Sequence, residues 1–136
     1  MIKSSLSTSL HIMTVLAMFS EEWISSRILA ESININPVLV REELRVLKNA
    51  GLVQSKEGKN GGVKLIKSAD QILLSDIFKA IKKEDHVFTL RTNSPDKTCK
   101  VGKKINTNLK SLYQEIDEAI YTKLNDVSLE SFKNRF

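Results

Sequence analysis

Asn36-Pro37-Val38-Leu39-Val40-Arg41-Glu42-Glu43-Leu44-Arg45-Val46-Leu47-Lys48-Asn49-Ala50-Gly51 is the stretch that decides how this chain folds. An asparagine can cap the orphan amides of a first turn. A proline fits the first helical position, where its missing N–H costs nothing. Val40, Leu44 and Leu47 are four and three apart and make one apolar stripe. Gly51 tolerates the left-handed conformation that ends a helix. The stretch therefore predicts a helix opening at Asn36-Pro37 and running to Ala50.

Upstream, Leu6, Leu10, Met13, Val15, Leu16 and Phe19 recur at helical spacing and predict a first helix over about 4–19. Residues 20–23 break it. A short second helix is expected from Ser25 or Ser26 to about Ser32, followed by a turn at Ile33-Asn34-Ile35. Downstream, Leu52-Val53-Gln54-Ser55 and Val63-Lys64-Leu65-Ile66 read as two strands joined by the Gly- and Asn-rich turn Lys56–Gly62. Residues 75–81 predict a further helix, with Ser75 as its cap. The predicted fold is mostly α with a small β-hairpin: a winged helix-turn-helix and, beyond it, a long helix.

That long helix follows a polar stretch containing Asn93-Ser94-Pro95-Asp96. Val101, Ile105, Leu109, Leu112, Ile116, Ala119, Ile120 and Leu124 then form a continuous apolar seam. Val127, Leu129 and Phe132 predict a short closing helix. The expected organisation is a winged unit over 1–81, a polar loop over 82–100, and a dimerisation helix with its cap over 101–136. The seam is too extended for one small winged unit to cover. Ile105, Leu109, Leu112, Ile116, Ile120 and Leu124 are accordingly expected at a homodimer interface; packing within one chain is the competing reading.

Composition narrows the function. The chain has 136 residues, 41% of them hydrophobic and 27% charged, which supports a folded core and excludes a disordered chain. Its net charge is +5. Residues 36–67 hold seven Lys or Arg and three acids, a net +4 that is most of the excess. A basic balance placed there favours an anionic partner. No apolar run is long enough for a membrane span. The opening twenty residues carry one Lys, an apolar stretch interrupted by His11, and no small-residue cleavage site before Glu21 and Glu22. They read as the first helix of a cytoplasmic protein.

In a helix-turn-helix the second helix enters the DNA major groove with its N-terminal residues at the base edges. Here that places Asn36, Pro37, Val38, Arg41 and Glu42 at the groove, with Ser26 on the supporting helix. Arg41 suits a bidentate guanine contact and Val38 a thymine methyl. Arg45 and Lys48 suit phosphates. Lys56, Lys59 and Asn60 at the wing tip suit a phosphate strand or the minor groove. A symmetric dimer would offer two such helices to a palindromic operator in double-stranded DNA. The rival is a winged-helix interaction module whose recognition face binds a partner enzyme. A solvated charged face is the bland alternative for the basic helix alone.

Ser26–Ile81 resembles the winged helix-turn-helix of the IscR/CymR/NsrR-type bacterial regulators, the Rrf family. The resemblance rests on Leu44, Leu47 and Ala50-Gly51-Leu52-Val53, then Ser55, Gly58 and Gly61-Gly62, then Ser75-Asp76-Ile77 and Ala80-Ile81. Cys99-Lys100-Val101-Gly102, leading into the long helix, is similar too, and Asn36-Pro37-Val38 resembles the YwnA-like subgroup. The resemblance implies a homodimeric transcription regulator, usually a repressor. It implies that Val38, Arg41 and Glu42 face the major groove and Glu57–Asn60 the minor groove. Many members have Arg where this chain has Glu57, so the minor-groove contact falls to Lys56, Lys59 or Asn60. Members that hold an iron–sulfur cluster supply three cysteines before the long helix. This chain has Cys99 alone, so no cluster, metal or other cofactor is expected.

Cys99 sits among Arg91, Lys97, Lys100, Lys103 and Lys104, just before a helix start, a setting that favours thiolate. It is the candidate redox-sensing residue; a small inert side chain packed under the helix is the alternative. His11 and His86 have no neighbouring ligand at metal spacing: His11 is expected to pack within the first helix and His86 to lie in a loop. A thiol enzyme built on Cys99 would lack a recognisable base. Phe19 and Trp23 are expected to fasten the first helix to the winged unit.

Overall fold

The computed structural model describes residues 4–136. Residues 1–3 of the unit expected over 1–81 lie outside the described residues. Among the described residues the order is α1 (Ser5–Met18), α2 (Ser26–Ile33), α3 (Pro37–Asn49), β1 (Val53–Lys56), β2 (Gly62–Leu65), α4 (Leu74–Lys82), α5 (Lys100–Leu124) and α6 (Leu129–Lys133). A single 3-10 turn, Ala69–Gln71, precedes α4. The expected fold is present: a mostly helical winged helix-turn-helix followed by a long helix.

Local chemistry sets the boundaries. Ser25 caps α2, its hydroxyl accepting from the Ile28 amide at 3.2 Å. Asn34 ends α2 in the left-handed region at φ 62°, a conformation asparagine tolerates. The Asn36 side chain accepts from the Val38 amide at 2.9 Å, with Pro37 as the first helical residue. Gly51, at φ +77°, turns the chain out of α3. Strands β1 and β2 pair antiparallel, with Val53 opposite Leu65 and Lys56 opposite Gly62.

The start of α4 differs from expectation. Ser75 is not its cap. Asp76 reaches back and accepts from the Leu73 amide at 2.9 Å, while Ser75 is buried and donates to Asn125 Oδ1 at 2.8 Å. The helix begins at Leu74, so Ser75 already lies inside its first turn, and its hydroxyl goes to a group fifty residues away.

Ile12, Met13, Leu16, Leu29, Val40, Leu47, Ile72 and Ile77 are fully buried between α1, α2, α3 and α4. The chain's last turns join them. Leu129 of α6 is completely buried, and its amide donates to Ile72 O at 2.7 Å, while the Leu74 amide donates to Val127 O at 2.8 Å. Val127, Leu124 and Phe132 also pack on this core, so residues at the end of the sequence complete the winged unit.

Candidate nucleic-acid interface

Helix α3 has two unlike sides. Val40, Leu44 and Leu47 point into the core; each such burial contributes about 1.5–3 kcal/mol. On the other side Asn36, Val38, Arg41, Glu42, Arg45 and Lys48 are exposed, and Pro37 is half-buried. Val38 keeps 49% of its surface in solvent, an apolar side chain left outward at the head of the helix. Among the described residues Arg41 and Arg45 have no ion-pair partner. Lys48 donates to Ser55 Oγ at 2.6 Å and so ties the last turn of α3 to β1. Ser26 is the half-buried first residue of α2, next to the capping Ser25.

The helix is locked in place by a feature that sequence spacing did not reveal. Glu43 turns toward α1, where Ser5 Oγ and Ser9 Oγ donate to its two oxygens at 2.7 and 3.0 Å. Ser9 is wholly buried. Charge-assisted bonds of this kind fix a rotation as well as a position, and this one holds Arg41 and Arg45 outward. His11 likewise reaches out of α1: its Nε2 is hydrogen-bonded with Ser32 Oγ of α2 at 2.8 Å, rather than packing within its own helix.

The wing is docked on the segment between α1 and α2. Ile24 N donates to Val63 O at 3.0 Å and Val63 N to Ile24 O at 2.8 Å. Gly62 permits this approach: a Cβ there would lie 2.5 Å from the Ile24 carbonyl oxygen. Lys56, Lys59 and Asn60 are all exposed around the tip. Trp23 is half-buried beside the hairpin, and Phe19 keeps 46% of its surface in solvent.

Helix α5 is different. Over 25 residues, about 37 Å, it buries one side chain, and that is Asp117. Asp117 accepts from the Val87 amide at 3.0 Å and pairs with His86 Nδ1, with Lys82 Nζ 3.9 Å away. His86 is therefore a structural contact between the loop and α5; its partner lies too far along the chain for any local spacing to announce it. Ile105, Leu109, Ile116 and Ile120 are half-buried, and Leu112 is 47% exposed. Leu124, at the end of the seam, rests on the winged core.

Cys99 caps α5. Its sulfur accepts from the Gly102 amide at 3.4 Å, and the side chain is exposed. The Gly102 amide, then that of Val101, holds the thiol below its usual range. Nearby Asp96 is also lowered, by bonds from the Thr98 amide and hydroxyl.

A helix-turn-helix, a docked wing and a long trailing helix have counterparts among known proteins. A family profile described as "Rrf2: Iron-dependent Transcriptional regulator" matches residues 2–135. The chain belongs to the Rrf2 family. YwnA of Bacillus subtilis (strain 168), named an HTH-type transcriptional regulator, is 34% identical over 134 residues, 98% of each chain. The structure of CymR, the global cysteine regulator of B. subtilis, superposes with a TM-score of 0.72 at 23% identity, covering 100% of this chain and 98% of its own. IscR of T. potens superposes with a TM-score of 0.72 at 19% identity, covering 99% of this chain and 87% of its own. These two structural likenesses concern the fold. This Rrf2 member is thus a transcriptional regulator and not an enzyme. Among its described residues no helix is long and apolar enough to cross a membrane.

The iron in the family's description does not fit the donors present. Cys99 is the sequence's one thiol, and among the described residues no three His, Cys, Asp or Glu side chains gather to hold a metal ion. The nearest His–carboxylate pair, His86 and Asp117, is committed to the loop–α5 contact.

Proposed function

We propose that this regulator is a cytoplasmic homodimeric repressor that reads a palindromic operator through α3 and the wing. The carrying observation is the two-sided α3: its core stripe is fully packed, while Val38, Arg41, Glu42 and Arg45 stand free on the opposite side. Arg41 is assigned to a guanine edge and Val38 to a thymine methyl. Asn36, Pro37 and Glu42 line the groove. Ser26, Arg45 and Lys48 lie along the backbone, and Lys56, Lys59 and Asn60 approach the adjacent strand or minor groove.

Dimerisation is supported by α5. Its seam through Ile105, Leu109, Leu112, Ile116, Ile120 and Leu124 is only partly covered within one chain, and a second copy related by two-fold symmetry would cover it. On this reading 1–81 binds DNA, 82–100 links, and 101–136 divides its work: α5 pairs, while Leu129 and its neighbours close the winged core. Repression follows from the family resemblance: an occupied operator excludes polymerase.

Cys99 is assigned as the redox-responsive group. Its thiolate attacks a peroxide oxygen; the S–O bond forms as the O–O bond breaks, hydroxide leaves, and sulfur is oxidised by two electrons to the sulfenic acid. The cap bond to Gly102 is then lost at the head of α5, and the dimer and its operator affinity change with it.

The test is selection of bound fragments from the native genome, repeated with peroxide. A recurring palindrome with half-sites about 34 Å apart, released on oxidation of wild type but not of Cys99→Ser, is expected. Absence of a preferred sequence overturns the operator reading, and unchanged release from Cys99→Ser overturns the sensor. Steep log-linear weakening with salt separates this reading from an apolar contact with an enzyme.

A further inference from the structure

We propose that Trp23, Lys56 and Lys64 form a pre-assembled clamp for a DNA backbone phosphate, with Trp23 as its positioning residue. The proposal rests on the DNA-binding reading and names a site within it. Strand register pairs Gln54 with Lys64 and Lys56 with Gly62, so Lys56 and Lys64 are diagonal neighbours on one face of the hairpin. Their ammonium nitrogens lie 5.7 and 5.1 Å from the centre of the Trp23 ring. Both are within the distance at which an indole attracts a cation.

Two like charges drawn to one ring repel each other in the free protein. Among the described residues neither ammonium has a carboxylate at ion-pair distance. The ring attracts them without neutralising them, and the remaining charge is open to an anion. A base stacking on Trp23 would have to displace an ammonium; a phosphate reaching both would not. The ring cannot drift from the wing, because the next residue, Ile24, is bonded in both directions to Val63. Gly62 keeps that contact close. Long lysine side chains ordinarily lose rotamer freedom when they grip a phosphate, and here part of that ordering is already present. The clamp lies on the paired part of the hairpin, Lys56 opposite Gly62 and Lys64 opposite Gln54, so it is assigned to the backbone and base reading is left to α3.

Trp23 is the sequence's one tryptophan, so its emission reports on this site alone. The experiment titrates full-length protein with a labelled mixed-sequence duplex of about 30 base pairs across a salt series, with intrinsic emission recorded in parallel. Lys64→Gln should make the log–log salt slope shallower by about one per engaged protomer. Trp23→Leu should weaken binding about five- to thirtyfold with the wild-type slope, because both lysines remain. Trp23→Phe should recover most of the loss, and duplex should change Trp23 emission in the wild type. If wild type binds duplex while Lys64→Gln keeps its slope, the clamp is overturned and DNA binding stands. If wild type binds no duplex at low salt, both readings fall. Should Trp23→Leu melt early, the Lys64→Gln slope decides alone.

Discussion

Helices α3 and α5 carry similar proportions of apolar residues and meet opposite fates. In its 13 residues α3 buries Val40, Leu44 and Leu47 completely or nearly so, and its free side is polar apart from Val38 and Leu39. In its 25 residues α5 buries a single carboxylate and leaves Val101 and Leu112 65% and 47% exposed. The first helix is finished by its own chain. The second is finished only if something else covers it, since apolar surface in water contributes nothing until it is buried. On the proposed reading, rigidity belongs where bases would be read and incomplete burial where two copies would meet.

Substitutions can break or sharpen that contrast. The largest effect is expected from Leu112→Glu in α5. A two-fold interface counts the change twice, so dimerisation should lose on the order of 4 kcal/mol, about a thousandfold in affinity. Sedimentation should find protomers with an unchanged circular dichroism spectrum. Dimers of undiminished stability would mean that the seam is not the interface.

Next comes Leu47→Ala in α3, which opens a cavity in the core. Denaturant unfolding should register a loss of about 3 kcal/mol at every protein concentration tested. A smaller effect is expected of Arg41→Ala, on the free side of the same helix. Discrimination at one base pair of each half-site should relax by about 1–3 kcal/mol, measured by competition between operator variants, with folding stability unchanged. Lys59→Ala should weaken all sequences alike and reduce the salt slope by about one per engaged protomer.

The smallest effect concerns Cys99. Because the Gly102 and Val101 amides favour its thiolate, its alkylation rate should rise at a lower pH than that of an unstructured cysteine. The sign for stability follows from a lowered value. The cap's contribution is present above the unfolded thiol's pKa and fades as pH falls through the lower folded one. An alkylation profile identical to that of the unfolded chain would remove the argument for a reactive thiol.

Most of the winged architecture was legible because its signals are local. Asn36 with Pro37, and Gly51 fourteen residues after that proline, announce the two ends of α3 by chemistry confined to a few neighbouring bonds. The Gly-rich turn announces the hairpin. The exposed residues of α3 were readable for the same reason, since helical period alone separates them from Val40, Leu44 and Leu47. The frame that aims them was not. Glu43 looks like one more solvated acid on a charged helix until Ser5 and Ser9 come to it from α1. Trp23 looks like a fastener, and only the register of β1 against β2 brings Lys56 and Lys64 to its ring.

Caps, turns and apolar periods depend on residues a few positions apart, so the order and kind of the elements were determined by the amino-acid sequence alone. Which distant groups meet was decided only in three dimensions. Ser75 went to Asn125; Asp117 captured His86 and Val87 from the loop; Leu129 returned to complete a core begun at Ile12. Each joins partners thirty or more residues apart, where no spacing rule operates. There the outcome depends on which burial leaves the fewest polar groups without a partner.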